Sequence, residues 1–329
     1  MSNSAESFNQ QHESEVEKDI FIREQFEVAG GVADVVDIKP EKIKTDVPVL
    51  FAPAWGCTIE VYKPTLKELS EHERRVISLD HPRVGGDFDA AKEAEGIDDY
   101  IDKYPQEELR KALNILNVLD QKCIEKVDVI THSEAAINTA IAALLHPEKF
   151  RNIVFFAPAG MIGEDKFTRL LQGFAAQSKP AESTKDLPMN EAQKHVASVV
   201  TPEVLKYLAK NPIRALNETR DIAKTQIHEI IRYLHDKGIG IVVMAAVDDP
   251  VFPMNDMQKI AKMDMLDGFL SVKGGHGGIG ERPEMFMNAA EQMLTALEKT
   301  QQKNEAGVRD PSSFMNAAES AYGEPKKKE

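Results

Sequence analysis

Residues 126–145 read KVDVITHSEAAINTAIAALL, and the hydrophobic period changes in the middle of the stretch. Val127, Val129 and Ile130 are β-branched and closely spaced, as in a short buried strand. Ala136, Ile137, Ala140, Ile141 and Leu144 recur at helical spacing, so strand gives way to helix at Thr131-His132-Ser133-Glu134-Ala135. A turn that abrupt strains its central residue and pushes its side chain out at the carboxyl end of the strand. The small side chain of Ala135 lets strand and helix approach each other. Ser133 therefore has the placement a nucleophile needs.

The flanking chain alternates in the same way. Residues 47–51, 75–79, 153–157, 239–247 and 269–272 read as buried strands, and residues 105–126 read as a helix with Leu109, Ala112, Leu113, Leu116 and Leu119 on one face and charges on the other. Strands alternating with helices imply a mostly parallel sheet covered on both faces. Upstream, residues 20–28 and 32–38 flank Ala29-Gly30-Gly31 as a hairpin. Between residues 161 and 238 strand signals give way to three amphipathic helices, marked by Phe167 to Phe174, by Val204, Leu205 and Leu208, and by Ile227 to Leu234. Residues 178–190 between them read as a loop.

The pattern around Ser133 resembles the nucleophile elbow of the α/β-hydrolase family, usually GxSxG, with Thr131 and Ala135 in place of the glycines. Pro53-Ala54-Trp55-Gly56, with Tyr62 and Pro64 further on, stands where that family has a His-Gly loop. Residues 80–87, DHPRVGGD, stand where it has DxPGxGxS. Asp249-Pro250 resembles the loop that carries the family's acid, with Asp248 as the adjacent alternative, and Gly275-His276-Gly277 with Glu281-Arg282-Pro283-Glu284 resembles the loop of its base. The resemblance spans residues 20–297. It implies an α/β-hydrolase fold with a mostly parallel central sheet, helices on both faces and a helical cap. It also implies a catalytic Ser133, Asp249 and His276, an oxyanion hole formed by the backbone N–H groups of Trp55 and Glu134, and no cofactor or metal. Trp55 can equally be a packed aromatic or a pocket wall, and His132, beside the nucleophile, is not counted in the site.

The division expected is a disordered polar tail (1–18), a core (19–160 and 239–297), a cap or lid (161–238) and a polar C-terminal tail (298–329). In that tail residues 286–291, FMNAAE, recur at 314–319. A net charge of -14 argues against nucleic acid or an anionic membrane as partner. Two cysteines, Cys57 and Cys123, make no disulfide framework, and the absence of a spanning apolar run or a signal-like start leads to the expectation of a soluble, cytoplasmic protein. The expected activity is hydrolysis of an ester, thioester, amide or related acyl bond in a small, partly apolar substrate. A binding or signalling protein with little turnover, or an acyltransferase, are the alternatives. The sequence sets no oligomeric state.

Overall fold

The apolar runs pair into one eight-stranded sheet in the computed structural model, which describes residues 20–83, 100, 102–163, 165–177 and 179–305. The strands are β1 (Arg23–Val28), β2 (Gly31–Ile38), β3 (Val49–Ala52), β4 (Val76–Asp80), β5 (Val127–His132), β6 (Phe150–Phe156), β7 (Gly240–Ala246) and β8 (Gly268–Val272). Their spatial order is β1-β2-β4-β3-β5-β6-β7-β8. β1 and β2 form the expected antiparallel hairpin, turned at Gly30 with φ +78°, a conformation that favours glycine. β2 is antiparallel to β4, and every later pairing is parallel. The N-terminal tail, the repeat at 314–319 and the glycines at 85 and 86 lie outside the described residues.

β5 runs between β3 and β6 and is buried at every position, which is why its sequence shows no polar alternation. Its one charge, Asp128, accepts from Arg151 and from the Asn152 side-chain amide. Crossovers between the parallel strands are helical: α1 (Ile59–Glu71), α2 (Gln106–Gln121) and α3 (Ala135–Leu145) precede β6. α2 stops five residues short of the expected Lys126, because Cys123 turns the chain with φ +53°. Pro64 lies inside α1, where it cannot donate to the carbonyl of Glu60. The imidazole of His195 donates to that oxygen instead, at 2.7 Å, so the backbone group stays satisfied.

Four helices, α4 (Phe167–Ala176), α5 (Glu191–Lys210), α6 (Pro212–Lys224) and α7 (His228–Asp236), fill the interval between β6 and β7 where periodicity indicates three. α6 is the addition. Of its buried residues, Ala215, Glu218, Thr219, Ile222 and Ala223, only Ile222 is large and apolar, while Ile213 and Leu216 are exposed, so no continuous apolar stripe marks it. A reciprocal capping box of Asn190 and Gln193 opens α5. α8 (Met254–Ile260) and the short α9 (Gly278–Glu281) flank β8, and α10 (Pro283–Glu305) is the last element among the described residues. α10 runs past residue 298, where the polar tail is expected to begin, because Glu298 pairs with Arg74 at 2.9 Å and with Arg151 at 2.6 Å. Arg74 is wholly buried and also holds Glu291, tying α10 to the amino ends of the strands. Among the described residues no helix is long and apolar enough to cross a membrane.

Candidate active site

Ser133 follows the last residue of β5 and precedes α3, and it takes φ +57°. For a residue with a Cβ that conformation costs about 1–2 kcal/mol. The surrounding backbone holds it there. The Ser133 N–H donates to the Phe156 carbonyl at 3.0 Å, and its own carbonyl accepts from Ala136 and Ala159, each at 3.1 Å. The hydroxyl is thereby fixed beyond the carboxyl end of the central strand.

Asp249 lies in the turn after β7. Its Oδ1 accepts from the backbone N–H of Val251 at 2.7 Å and of Phe252 at 3.0 Å, which locks the carboxylate plane. Its Oδ2 accepts from His276 Nδ1 at 2.8 Å. A carboxylate can only accept here, so the imidazole proton resides on Nδ1 and Nε2 is left to accept. Nε2 lies 3.0 Å from Ser133 Oγ. Ser133, His276 and Asp249 thus form one hydrogen-bonded chain, with each residue 3–4% exposed. Asp248, the adjacent alternative, accepts instead from the Ser183 N–H at 2.7 Å.

His276 sits among glycines in the loop after β8. Gly278 is required there: a Cβ at that position would meet the Phe286 ring at 2.6 Å. Phe252 (5.4 Å), Phe174 (6.5 Å) and His132 (4.9 Å) surround the His276 ring, measured centroid to centroid. His132 has a supporting part that residue type alone does not reveal. Its Nε2 donates to the His276 carbonyl at 2.9 Å and its Nδ1 accepts from the Tyr62 hydroxyl at 2.6 Å. Burial, and then the charge His276 can carry, hold the His132 pKa well below the usual histidine value, so it stays neutral.

The N–H groups of Trp55 and Glu134 donate to no acceptor among the described residues, while their side chains are engaged. The Trp55 indole stacks on Phe174 at 6.0 Å, meets Tyr207 edge-on at 5.9 Å and donates through Nε1 to Glu218 at 2.8 Å. It is therefore packed against the helical insertion through both its ring and its N–H. A surface cleft of about 880 Å³, lined by Lys103, Tyr104, Arg220 and His228 among others, includes none of the site residues.

Residues 47–199 match a family model described as alpha/beta hydrolase fold. A search of curated proteins finds no match. Similar solved structures include a membrane phospholipase A described as a novel bacterial virulence factor, 13% identical over 89% of this chain and 92% of that one, with a TM-score of 0.62. A thermophilic esterase from Thermogutta terrifontis is 15% identical over 83% of this chain and 99% of that one, with a TM-score of 0.57. A carboxylesterase from the thaumarchaeon Nitrososphaera gargenis is 15% identical over 84% and 99%, with a TM-score of 0.58. At these identities the likeness is one of fold.

Proposed function

Because this chain has the α/β-hydrolase fold, we propose that it is a serine hydrolase acting on an ester, thioester, amide or related acyl bond of a small substrate with an apolar portion. The observation that carries this is the buried chain from Ser133 Oγ through His276 to Asp249. Ser133 Oγ attacks the carbonyl carbon as His276 Nε2 takes its proton, and the tetrahedral oxyanion is held by the free N–H groups of Trp55 and Glu134. Each such donor contributes about 3 kcal/mol in comparable sites. His276 then protonates the leaving group, and the acyl group remains on Ser133. Water attacks that acyl-enzyme, giving its proton to His276, and His276 returns a proton to Ser133 Oγ as the bond from Oγ to the acyl carbon breaks and the carboxylic acid leaves. Asp249 fixes the imidazole tautomer throughout and stabilises its positive charge.

The helices between β6 and β7 act in this account as a cap. Phe174 from α4 stacks on Trp55 and faces His276, so the insertion supplies an apolar roof and the small exposure of Ser133 favours a small acyl group. Hydrolysis of p-nitrophenyl acetate by the protein and by Ser133→Ala tests the proposal. The variant should melt within a few degrees of the parent and lose turnover by at least about 10⁴-fold. Turnover within tenfold of the parent would refute it. The same assay with added alcohols or thiols separates hydrolysis from acyl transfer.

A further inference from the structure

Joined to the side chains of Glu134 and Trp55 is a group of charges that the steps above do not use. Lys111 on α2 is 5% exposed, Glu134 3%, Glu218 on α6 1%, and Glu108, one helical turn before Lys111, is fully buried. The Lys111 ammonium pairs with Glu134 and, at 3.1 Å, with Glu218. Glu218 in turn accepts from the Trp55 indole N–H at 2.8 Å and from the Tyr207 hydroxyl. Burial lowers the Lys111 pKa, but the Glu134 and Glu218 charges more than reverse this, so it stays protonated. Burial, and then the Glu134 charge, push the Glu108 carboxyl well up, and its Oε2 accepts from the Asn138 side-chain amide at 3.4 Å.

Taking such ions out of water costs several kcal/mol each, and apolar residues would fill the same space at less cost. What the group connects is specific. Its two ends, Glu134 and Trp55, are the residues proposed above as oxyanion donors, and its middle, Glu218, comes from the helical insertion. Resting on the hydrolase activity proposed above, we propose that Lys111 and Glu218 are positioning residues, which set the two oxyanion donors through Glu134 and Trp55 and so complete the hole only when the insertion is seated.

Steady-state hydrolysis of p-nitrophenyl acetate, with melting temperatures alongside, tests this in Glu218→Leu, Glu218→Gln and Trp55→Phe. A donor displaced from the oxyanion acts on the transition state, so Glu218→Leu should lose about 30-fold in kcat with KM within about threefold. Glu218→Gln, which keeps an acceptor for the indole, should return to within about fivefold of the parent. Trp55→Phe, which keeps an aromatic ring at the position and removes the indole N–H that reaches Glu218, should lose about tenfold in kcat. A group that merely holds the fold would lower the melting temperature and leave kcat per folded molecule unchanged. A kcat within about threefold of the parent in folded Glu218→Leu and Trp55→Phe overturns the proposal, and Trp55→Phe alone decides if Glu218→Leu does not fold. Failure of the hydrolase reading is visible separately, in parent protein that neither turns over the ester nor is labelled by a fluorophosphonate, and that result removes both.

Discussion

Replacing Asp249 by asparagine should disable the base while leaving the fold in place. Oδ1 of Asp249 takes two backbone N–H groups, from Val251 and Phe252. Turning an asparagine so that its NH₂ faces those donors would forfeit two buried hydrogen bonds, at about 1–3 kcal/mol each. The amide oxygen therefore stays on that side, and the NH₂ faces His276 Nδ1. Nδ1 must then accept, the ring proton moves to Nε2, and Nε2 can no longer take the Ser133 proton across 3.0 Å. In triads of this geometry such a tautomer reversal lowers kcat by about 10⁴. At about 1.36 kcal/mol per tenfold that is roughly 5.5 kcal/mol of barrier. Ester turnover and a thermal melt on Asp249→Asn measure it, with a melting temperature within a few degrees of the parent expected. Asp248→Asn is the control and should retain turnover within about threefold, since Asp248 serves Ser183 and not His276. Turnover of Asp249→Asn within tenfold of the parent, or a larger loss in Asp248→Asn, would refute the reasoning.

Three further outcomes are expected. Arg74→Ala removes the wholly buried cation that Glu291, Glu298 and Asp128 share, leaving them Lys44 and Arg151, and should lower stability by about 3 kcal/mol in urea unfolding; a loss under about 1 kcal/mol contradicts this. Tyr62→Phe removes the donor to His132 Nδ1 and should destabilise by about 1–2 kcal/mol by the same measurement, and an unchanged midpoint would mean that the hydroxyl does not hold His132. Burial raises the Asp80 carboxyl to about 6, so the folded protein keeps that proton more tightly than the unfolded chain does. The stabilisation is complete below about pH 4 and is lost as pH rises through about 6. The stability of the parent relative to Asp80→Asn should therefore fall by about 2 kcal/mol between pH 4 and 7. A pH-independent difference would contradict it.

The sheet and the chain from Ser133 to Asp249 were legible because each depends on local signals. Central parallel strands are uninterrupted apolar runs, and Ser133, Asp249 and His276 each fall in a loop directly after one. The supporting shell was not legible, for a physical reason. Glu108 and Lys111 belong to the charged face of an amphipathic helix, which reads as solvated, yet both are buried, Glu108 against Asn138 of α3 and Lys111 against Glu134 and Glu218. Glu218 sits on a helix with no apolar stripe, and its partners Trp55 and Lys111 lie 163 and 107 positions away in sequence. His132 was legible as a residue but not as a support, since its bonds to Tyr62 and to the His276 carbonyl exist only once α1 and the loop after β8 pack against the end of β5. The end of α10 was missed because a polar run stays helical when Glu298 finds buried arginines.

The central claim is that Ser133 is activated by His276. Incubation with a fluorophosphonate, followed by mass mapping of the modified peptide in the parent, Ser133→Ala and His276→Ala, tests it most directly. The account predicts a single modification at Ser133 in the parent and none in either folded variant. A folded parent that remains unmodified, or labelling of Ser133 that persists without His276, would contradict it.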